Sequence, residues 1–477
     1  MRILLGVWKS SEKRRSRSPV RPALEGLEGR MLLSVTAGDR VVRVHPAAAG
    51  SAATSGGPIV DTGQVPFQVQ ITPANIPNAP ALQSAVEAQW RGKWLFLGGR
   101  TNGLHGFGPG QDFPPEYQNK AIIVIDPRSG RVWSRPWSDS KLSQAAIDAL
   151  TSTNQESLQQ GKKLFVVGGY GVNSATNLST TFDTLTAINL PGLMRTVIHG
   201  GNIAAQVRQT QDPRLQVTGG QMAALGRRDY LVMGQSFLGD YSTATPPPYI
   251  QKYTDTIASF RIVDNRRRLG ITNYTATTDA INFHRRDFMM SPVILPNRQP
   301  AIEAYGGVFT PDNSAYRQPI TIHRNGRITV SPYQQYFSQY TSPQIPIYDA
   351  RTRAMNTIFL GGISLYNYFP ATGKIQEDPE IPFINTITDL VQSPSGVDQE
   401  YVMPVQLPGL MGAGAQYMPA ARMPHFANGV IKLKAIRRPT TIGYMYGGIL
   451  AQQANFGNST ATGAVLRVTL VPKPVQG

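Results

Sequence analysis

The sequence predicts an all-β fold made of six similar units of four strands each. The composition, with 46 glycines, 37 prolines and only 16% charged residues, suits many short strands and turns better than helices. An apolar run that ends on glycine also returns six times along the chain. The terminal glycines are Gly98, Gly168, Gly234, Gly306, Gly361 and Gly447. Internal repetition of this kind predicts copies of one structural unit packed side by side.

Each unit begins with a predicted hairpin. A short strand and a polar turn precede every apolar run, as in ALQSAVEA and RGK before WLFLGG. Two strand patterns around a polar turn are typical of a β-hairpin. A loop and a third strand, such as AIIVID, follow the glycines, and several units add an outer strand such as RVWSRPW. Four strands per repeat predict the blades of a β-propeller.

The two ends of the repeat region are predicted to pair with each other. The last unit ends on AVLRVTL with no outer strand after it, whereas the early strand FQVQI (67–71) has no unit of its own. Pairing the two would remove an exposed strand edge and close the ring. The one helical pattern, SQAAIDAL (143–150), is interpreted as an insertion before the second unit.

The order of apolar run, two glycines, long loop and second apolar strand resembles that of kelch repeats, over residues 65–472. The resemblance implies a six-bladed kelch-like β-propeller of four-stranded blades, which we assign to residues 63–474. Glycines at the ends of inner strands would let neighbouring blades approach closely, because glycine has no Cβ. FHRRDF and FSQYTSPQIPIYDA are similar to segments of uncharacterised secreted kelch-type proteins.

Residues 1–62 are predicted to form a disordered basic tail with an export segment. After KRRSRS comes RPALEGLEGRMLLS, which resembles the LEPR-XLL motif near the start of many large surface and secreted proteins of planctomycetes. Gly29 stands where that motif has proline. The matching positions are Leu27, Glu28, Arg30, Leu32, Leu33 and Ser34. The resemblance implies an extracellular or cell-surface location, and the low-complexity stretch PAAAGSAATSGGP ends the tail.

Charge and composition limit the classes of partner and cofactor that suit this sequence. The formal net charge is +17, but the basic residues of the repeats are scattered among turns, without the aromatic interleaving of a nucleic-acid groove. An acidic glycan or a surface protein therefore suits the charge better than nucleic acid. The sequence contains no run of 18 apolar residues, so no transmembrane segment is predicted. The absence of cysteine excludes the tyrosine–cysteine cofactor of kelch-type copper-radical oxidases.

The loops that follow the glycine pairs are predicted to gather on one face and to form a binding site. They are rich in tyrosine, asparagine and arginine, whose rings and polar groups suit sugars. The candidate ligand-binding residues are His105, Tyr170, Tyr241, His284, Arg285, Arg286, Asp287, Tyr340, Tyr366 and His425. Strand alternation predicts His284 and Arg286 on one side, and Arg285 and Asp287 on the other. Either arginine would bind a carboxylate or sulfate; alternatively, Asp287 and one arginine brace the neighbouring blade.

Two classes of function remain open from the sequence. The first is a monomeric, non-catalytic binding module, without cofactor or metal, that recognises a carbohydrate or a protein partner. The second is a carbohydrate-modifying, epimerase-like enzyme that uses His284, Arg285 and Asp287 as acid, anchor and base. The sequence contains no GxSxG, HExxH or P-loop motif, and its histidines have no metal-ligand spacing.

Overall fold

The computed structural model describes residues 45–46, 57–106, 112–242, 244, 246–455 and 457–473. Six of its sheets follow the predicted repeat of four antiparallel strands. Sheet 1 consists of Val86–Trp90, Lys93–Leu97, Ala121–Asp126 and Arg131–Pro136. Sheet 2 consists of Glu156–Gln160, Lys163–Val167, Thr184–Asn189 and Val207–Gln211. Sheet 3 consists of Gln221–Leu225, Arg228–Val232, Thr256–Asp264 and Leu269–Thr278.

The next three sheets continue the series. Sheet 4 consists of Met289–Ile294, Pro300–Tyr305, Ile320–His323 and Ile328–Val330. Sheet 5 consists of Gln344–Asp349, Ala354–Ile363, Phe383–Gln392 and Asp398–Gln406. Sheet 6 consists of Gln416–Pro419, Thr440–Tyr446, Val465–Pro472 and Phe67–Pro73. The described part of the chain is therefore all-β and propeller-like, as predicted.

Shorter elements decorate these sheets. A four-stranded loop sheet consists of Tyr170–Asn173, Leu178–Thr181, Gln235–Gly239 and Tyr249–Tyr253. A hairpin is formed by Tyr366–Phe369 and Lys374–Glu377. A three-stranded sheet is formed by Leu410–Met411, Ile449–Ala451 and Ser459–Ala461. Ile431–Lys432 and Ile59–Val60 add to sheet 5, and His45–Pro46 adds to sheet 4.

The described residues contain two α-helices. The first, Gln144–Leu150, lies before sheet 2 as predicted, and the Ser143 hydroxyl accepts a hydrogen bond from Ala146 N–H at its N-terminus. The second, Leu190–His199, was not predicted. Its leucines and methionine at 190, 193 and 194 are buried against sheets 1 and 2. Among the residues described, no helix is both long and apolar enough to span a bilayer.

Apolar side chains fill the space between each sheet and the next. Clusters join sheets 1 and 2, 2 and 3, 3 and 4, 4 and 5, and 5 and 6. A further cluster joins sheet 6 back to sheet 1, where the rings of Phe96 and Tyr446 lie 4.5 Å apart between centroids. Each sheet therefore buries apolar side chains against a neighbour on both of its faces, and the helix Leu190–His199 adds to the cluster between sheets 1 and 2.

The glycine pairs allow this close packing. Gly168 has a φ of +63°, and a Cβ at that position would lie 1.9 Å from the carbonyl oxygen of Val217 in the next unit. The third unit differs from the prediction. Met233, with a φ of +51°, takes the place of the first glycine, so Gly234 corresponds to the second glycine of the other pairs.

The predicted pairing of the two ends is confirmed. Phe67–Pro73 runs antiparallel to Val465–Pro472 as the outer strand of sheet 6, with Val69 opposite Leu470. Residues 59–62, which were assigned to the tail, are also attached to the fold. Asp61 is buried, its N–H donates to Val402 O at 2.9 Å, and its carboxylate lies 3.1 Å from Lys473 Nζ. The LEPR-XLL-like positions lie outside the described residues.

Six residues, one before the first strand of each sheet, form a closed ring of backbone hydrogen bonds. These ring residues are Ser84, Asn154, Gly219, Asp287, Thr341 and Gly414. All six have φ between +50° and +68°. Each N–H donates to the carbonyl oxygen of the previous member over 2.8–3.4 Å, and Ser84 N–H donates to Gly414 O. The hydrogen bonds therefore return to their start after six residues.

A buried carboxyl group in sheet 5 predicts a pH-dependent stability. The Glu400 side chain is fully buried and accepts a hydrogen bond from Tyr336 N–H at 2.7 Å, and burial raises its pKa to about 8. An unfolded glutamate ionises near pH 4, so between about pH 4 and 8 unfolding releases a proton. Stability should fall as pH rises through this window, by up to about 1.4 kcal/mol per pH unit from this group.

Melting temperatures of the wild type and Glu400→Gln between pH 5 and 8.5 measure this contribution. The variant is expected to be less stable at low pH, where it loses a well-placed neutral acid, but to show a shallower slope. Glu116→Gln removes an exposed carboxylate and serves as the control. Equal slopes for all three proteins would contradict the assignment.

Candidate functional site

A cavity of about 200 Å3 lies on the loop side of the sheets, and all six ring residues line it. Two positions that recur in each unit supply much of the remaining wall. One is the residue just before the ring residue, and the other is the residue just after the glycine pair. These positions form isolated β-bridges: Gln83 with Arg100, Thr153 with Tyr170, Thr218 with Gln235, Arg286 with Val308, and Tyr340 with Ile363. In the last unit, Ile449 N–H donates to Ala413 O at 2.7 Å.

Arg286 places a buried positive charge in this wall. Its guanidinium donates to Gln235 Oε1 at 3.3 Å, to Tyr241 OH at 3.4 Å and to the Tyr253 hydroxyl. It also lies 5.0 Å from the centroid of the Phe309 ring. The side chain is thus held by hydroxyl, amide and aromatic groups, with one carboxylate nearby, which leaves much of its charge uncompensated inside the cavity.

Asp287 is that nearby carboxylate. Asn154 Nδ2 donates to its Oδ1 at 3.0 Å, and Arg286 Nε lies 3.6 Å from its Oδ2. Burial raises the pKa of Asp287, an effect that Arg286 and the Asn154 hydrogen bond oppose. The predicted alternation is wrong here, because Arg286 and Asp287 both line the cavity. The φ of +55° at Asp287 breaks the extended backbone on which alternation depends.

Four further candidates also line the cavity: His105, Tyr170, Tyr241 and Tyr340. The His105 ring stacks on Phe113 with centroids 4.8 Å apart. Burial, together with the charges of Arg286 and Arg100, lowers the pKa of His105 to about 4, so the imidazole is neutral at pH 7. Tyr170 OH donates to Gly239 O at 2.5 Å. These residues supply aromatic surface and polar groups without a second negative charge.

The structure places the other four candidates away from the lining residues. Arg285 is fully buried and donates to the carbonyl oxygens of Asn282, Gly306 and Gln318 at 2.8–3.2 Å, so its role is to brace the loops of its own unit. His284 Nδ1 lies 2.8 Å from Asp255 Oδ1.

The last two candidates are held by surface contacts. Tyr366 OH donates to Glu377 Oε2 at 2.7 Å, and the Arg317 guanidinium lies 5.3 Å from the centroid of its ring. His425 is exposed and forms a β-bridge with Ile431. The set of His284, Arg285 and Asp287 that the enzyme hypothesis required is therefore not assembled in the cavity.

Sequence reasoning missed Arg100, a second buried guanidinium in the wall. It is 2% exposed, donates to Asn102 Oδ1 at 3.0 Å and to Pro114 O at 2.8 Å, and lies 5.1 Å from the centroid of the Phe113 ring. Burial lowers its pKa to about 10, which keeps it charged at neutral pH. The signal was available, because the residue after each glycine pair enters the cavity. Within the described residues, no three His, Asp or Glu side chains are grouped to hold a metal ion.

Comparison with known proteins adds a structural likeness. The chain matches no family model and no curated protein. A solved structure entitled "Structure of YjhT" is similar at 12% sequence identity, with a TM-score of 0.45. The likeness covers 83% of this chain and 99% of that chain.

Proposed function

We propose that residues 63–474 form one six-bladed, kelch-like β-propeller, with sheets 1–6 as its blades. Three observations support this count. Each sheet packs on the next, sheet 6 packs on sheet 1, and the ring of backbone hydrogen bonds closes after six residues. Phe67–Pro73 then acts as the strand that joins the start of the repeat region to its end.

The function we propose is non-catalytic recognition of an acidic carbohydrate in the cavity that the ring residues line. The observation that carries this proposal is the pair of buried arginines, Arg286 and Arg100, in a wall that also presents tyrosine hydroxyls and amide groups. Guanidinium groups bind carboxylates through charge-assisted hydrogen bonds, while aromatic rings and amides suit the rest of a sugar. A surface protein that presents an acidic side chain is the alternative ligand.

An epimerase-like enzyme is the second candidate function, and Asp287 is the observation that favours it. Burial raises the pKa of this carboxyl, a direction that favours the protonated form a general acid needs. With His284 and Arg285 outside the lining, such an enzyme would use Asp287 as acid or base and Arg286 as anchor. This differs from the set that the sequence suggested.

Binding of a glycan panel by the wild type and by Arg286→Gln tests the proposed function. We expect the wild type to bind acidic sugars in preference to neutral ones, and the variant to lose roughly tenfold or more in affinity, since it loses a charge-assisted contact. Arg266→Gln changes an exposed arginine and should bind normally. Failure of the wild type to bind any acidic glycan would overturn the proposal. Turnover of a bound sugar that disappears in Asp287→Asn would instead establish the enzyme.

We also propose that the N-terminal tail directs export or surface attachment, on the strength of its basic run and its LEPR-XLL-like segment. Fractionation of cells that express the intact chain should place it outside the cytoplasm. Replacing Arg30, Leu32 and Leu33 by alanine should retain it inside. Cytoplasmic retention of both proteins would overturn this proposal.

A further inference from the structure

The wall of the cavity is divided into a polar half and an apolar half. The residues that follow the glycine pairs show the division, because they occupy equivalent positions around the cavity. In units 1–3 these residues are polar: Arg100, Tyr170 and Gln235. In units 4–6 they are aliphatic: Val308, Ile363 and Ile449. One side of the cavity therefore offers hydrogen bonds, and the other offers none from these positions.

Loop residues extend both halves. Phe309, Ile381 and Phe383 line the cavity on the apolar side, where Ile381 and Phe383 pack in one cluster with Ile363. On the polar side, the residues just before the ring residues of units 1–3 add the side chains of Gln83, Thr153 and Thr218, whereas the same position is Arg286 in unit 4 and Tyr340 in unit 5. The division is therefore one of the residues after the glycine pairs and of the apolar cluster around Ile363, since Asn313, Tyr340, Glu380 and Asn455 of units 4–6 also line the cavity.

Arg286 lies at the boundary between the two halves. Its guanidinium reaches to Gln235 and Tyr241 of unit 3, whereas its own bridge partner, Val308, begins the apolar side. One face of the guanidinium lies over Phe309. A carboxylate bound to Arg286 would consequently have polar groups on one side and apolar surface on the other.

We propose that the ligand of this cavity is an anionic saccharide that carries an apolar substituent, such as an aryl or acyl group, remote from its carboxylate. A sugar with hydroxyl groups all round would press some of them against aliphatic side chains, which costs free energy when no partner replaces water. An apolar substituent fills that side with surface that gains by leaving water. This inference rests on the proposed binding of acidic carbohydrate.

Four probes separate the two contributions: glucose, glucuronic acid, phenyl β-glucoside and phenyl β-glucuronide. Isothermal titration calorimetry with the full chain should give the tightest binding for the phenyl glucuronide, about tenfold or more tighter than glucuronic acid. If glucuronic acid binds and the phenyl group adds nothing, this inference is overturned but the proposed function stands. If neither anion binds, the proposed function fails. Equal binding of phenyl glucoside and phenyl glucuronide would also overturn the inference.

A variant locates the apolar contact. Val308→Thr keeps the shape of the side chain and places a hydroxyl in the apolar half, so the advantage of phenyl glucuronide over glucuronic acid should shrink several-fold. Val397→Thr makes the same change at a side chain that is 52% exposed, outside the lining. An unchanged advantage in Val308→Thr, with the protein folded by circular dichroism, would show that the phenyl group binds elsewhere and would overturn the inference.

Discussion

Removal of residues 1–73 is expected to destabilise the fold severely, whereas removal of residues 1–56 should leave the melting temperature nearly unchanged. The longer deletion takes away the outer strand of sheet 6, in which Phe67 and Val69 are buried. Loss of one large buried aromatic side chain costs about 3–5 kcal/mol by itself. The longer deletion would also leave the strand Val465–Pro472 as an unpaired sheet edge, which favours aggregation.

An intermediate deletion of residues 1–66 separates the strand from the segment before it. This deletion removes Ile59–Val60 and the Asp61–Lys473 ion pair but keeps Phe67–Pro73. We expect a loss between those of the other two deletions, measured by thermal and urea unfolding. If the deletions of 1–56 and 1–73 unfolded at the same temperature, the strand pairing would have no role in stability.

The second large effect is expected at the glycine that ends the inner strand of sheet 2. In Gly168→Ala the new Cβ would meet the Val217 carbonyl oxygen at 1.9 Å, so the backbones of units 2 and 3 must move apart. The loss of stability should be several kcal/mol, because backbone atoms of two packed units cannot shift independently.

Gly161→Ala is the matched control. Gly161 has nearly the same φ, +60° against +63°, but a Cβ there would have nothing within 4 Å. Both substitutions pay the cost of a left-handed alanine, about 1–2 kcal/mol, so the difference between them measures the inter-unit contact. Equal urea midpoints for the two variants would contradict the packing role of the glycine pairs.

The repeated signals in the sequence predicted the fold well. Apolar runs that end on glycine correspond to inner strands, since only a residue without Cβ tolerates the approach seen at Gly168. The strand at 67–71 belonged to no repeat, and the last repeat lacked an outer strand, so the sequence predicted that the two pair, as they do. The prediction was wrong in the third unit, where it equated Gly234 with the first glycine of the other pairs. Met233 holds that place with a positive φ, which the sequence does not signal because methionine rarely adopts it. The helix Leu190–His199 was missed because its apolar face is only two turns long and follows directly from a strand.

The candidate site was less predictable, for a physical reason. Whether a loop residue faces the cavity depends on the backbone conformation at the ring residues. All six ring residues have the same left-handed conformation, but they are of five different amino-acid types, so no sequence pattern marks them. The φ of +55° at Asp287 departs from extended backbone, and the side chains of Asp287 and Arg286 both line the cavity while Arg285 is fully buried. Strand alternation cannot foresee such a turn. By contrast, the residue after each glycine pair can be located from the sequence alone. Applying that rule would have identified Arg100 as a wall residue.

The closed ring of backbone hydrogen bonds separates the scaffold from its specificity. The hydrogen bonds that close the ring run between main-chain atoms, and the side-chain hydrogen bond from Asn154 Nδ2 to Asp287 Oδ1 is additional to them. Selection can therefore vary the chemistry at the centre while the frame stays the same, within the set of residues that accept a positive φ, chiefly glycine, asparagine and aspartate. A designer would have the same freedom at the four ring positions that already carry a side chain, whereas a Cβ at Gly219 or Gly414 would lie 3.0 Å from Asp287 Oδ1 or 2.9 Å from Ser84 Oγ.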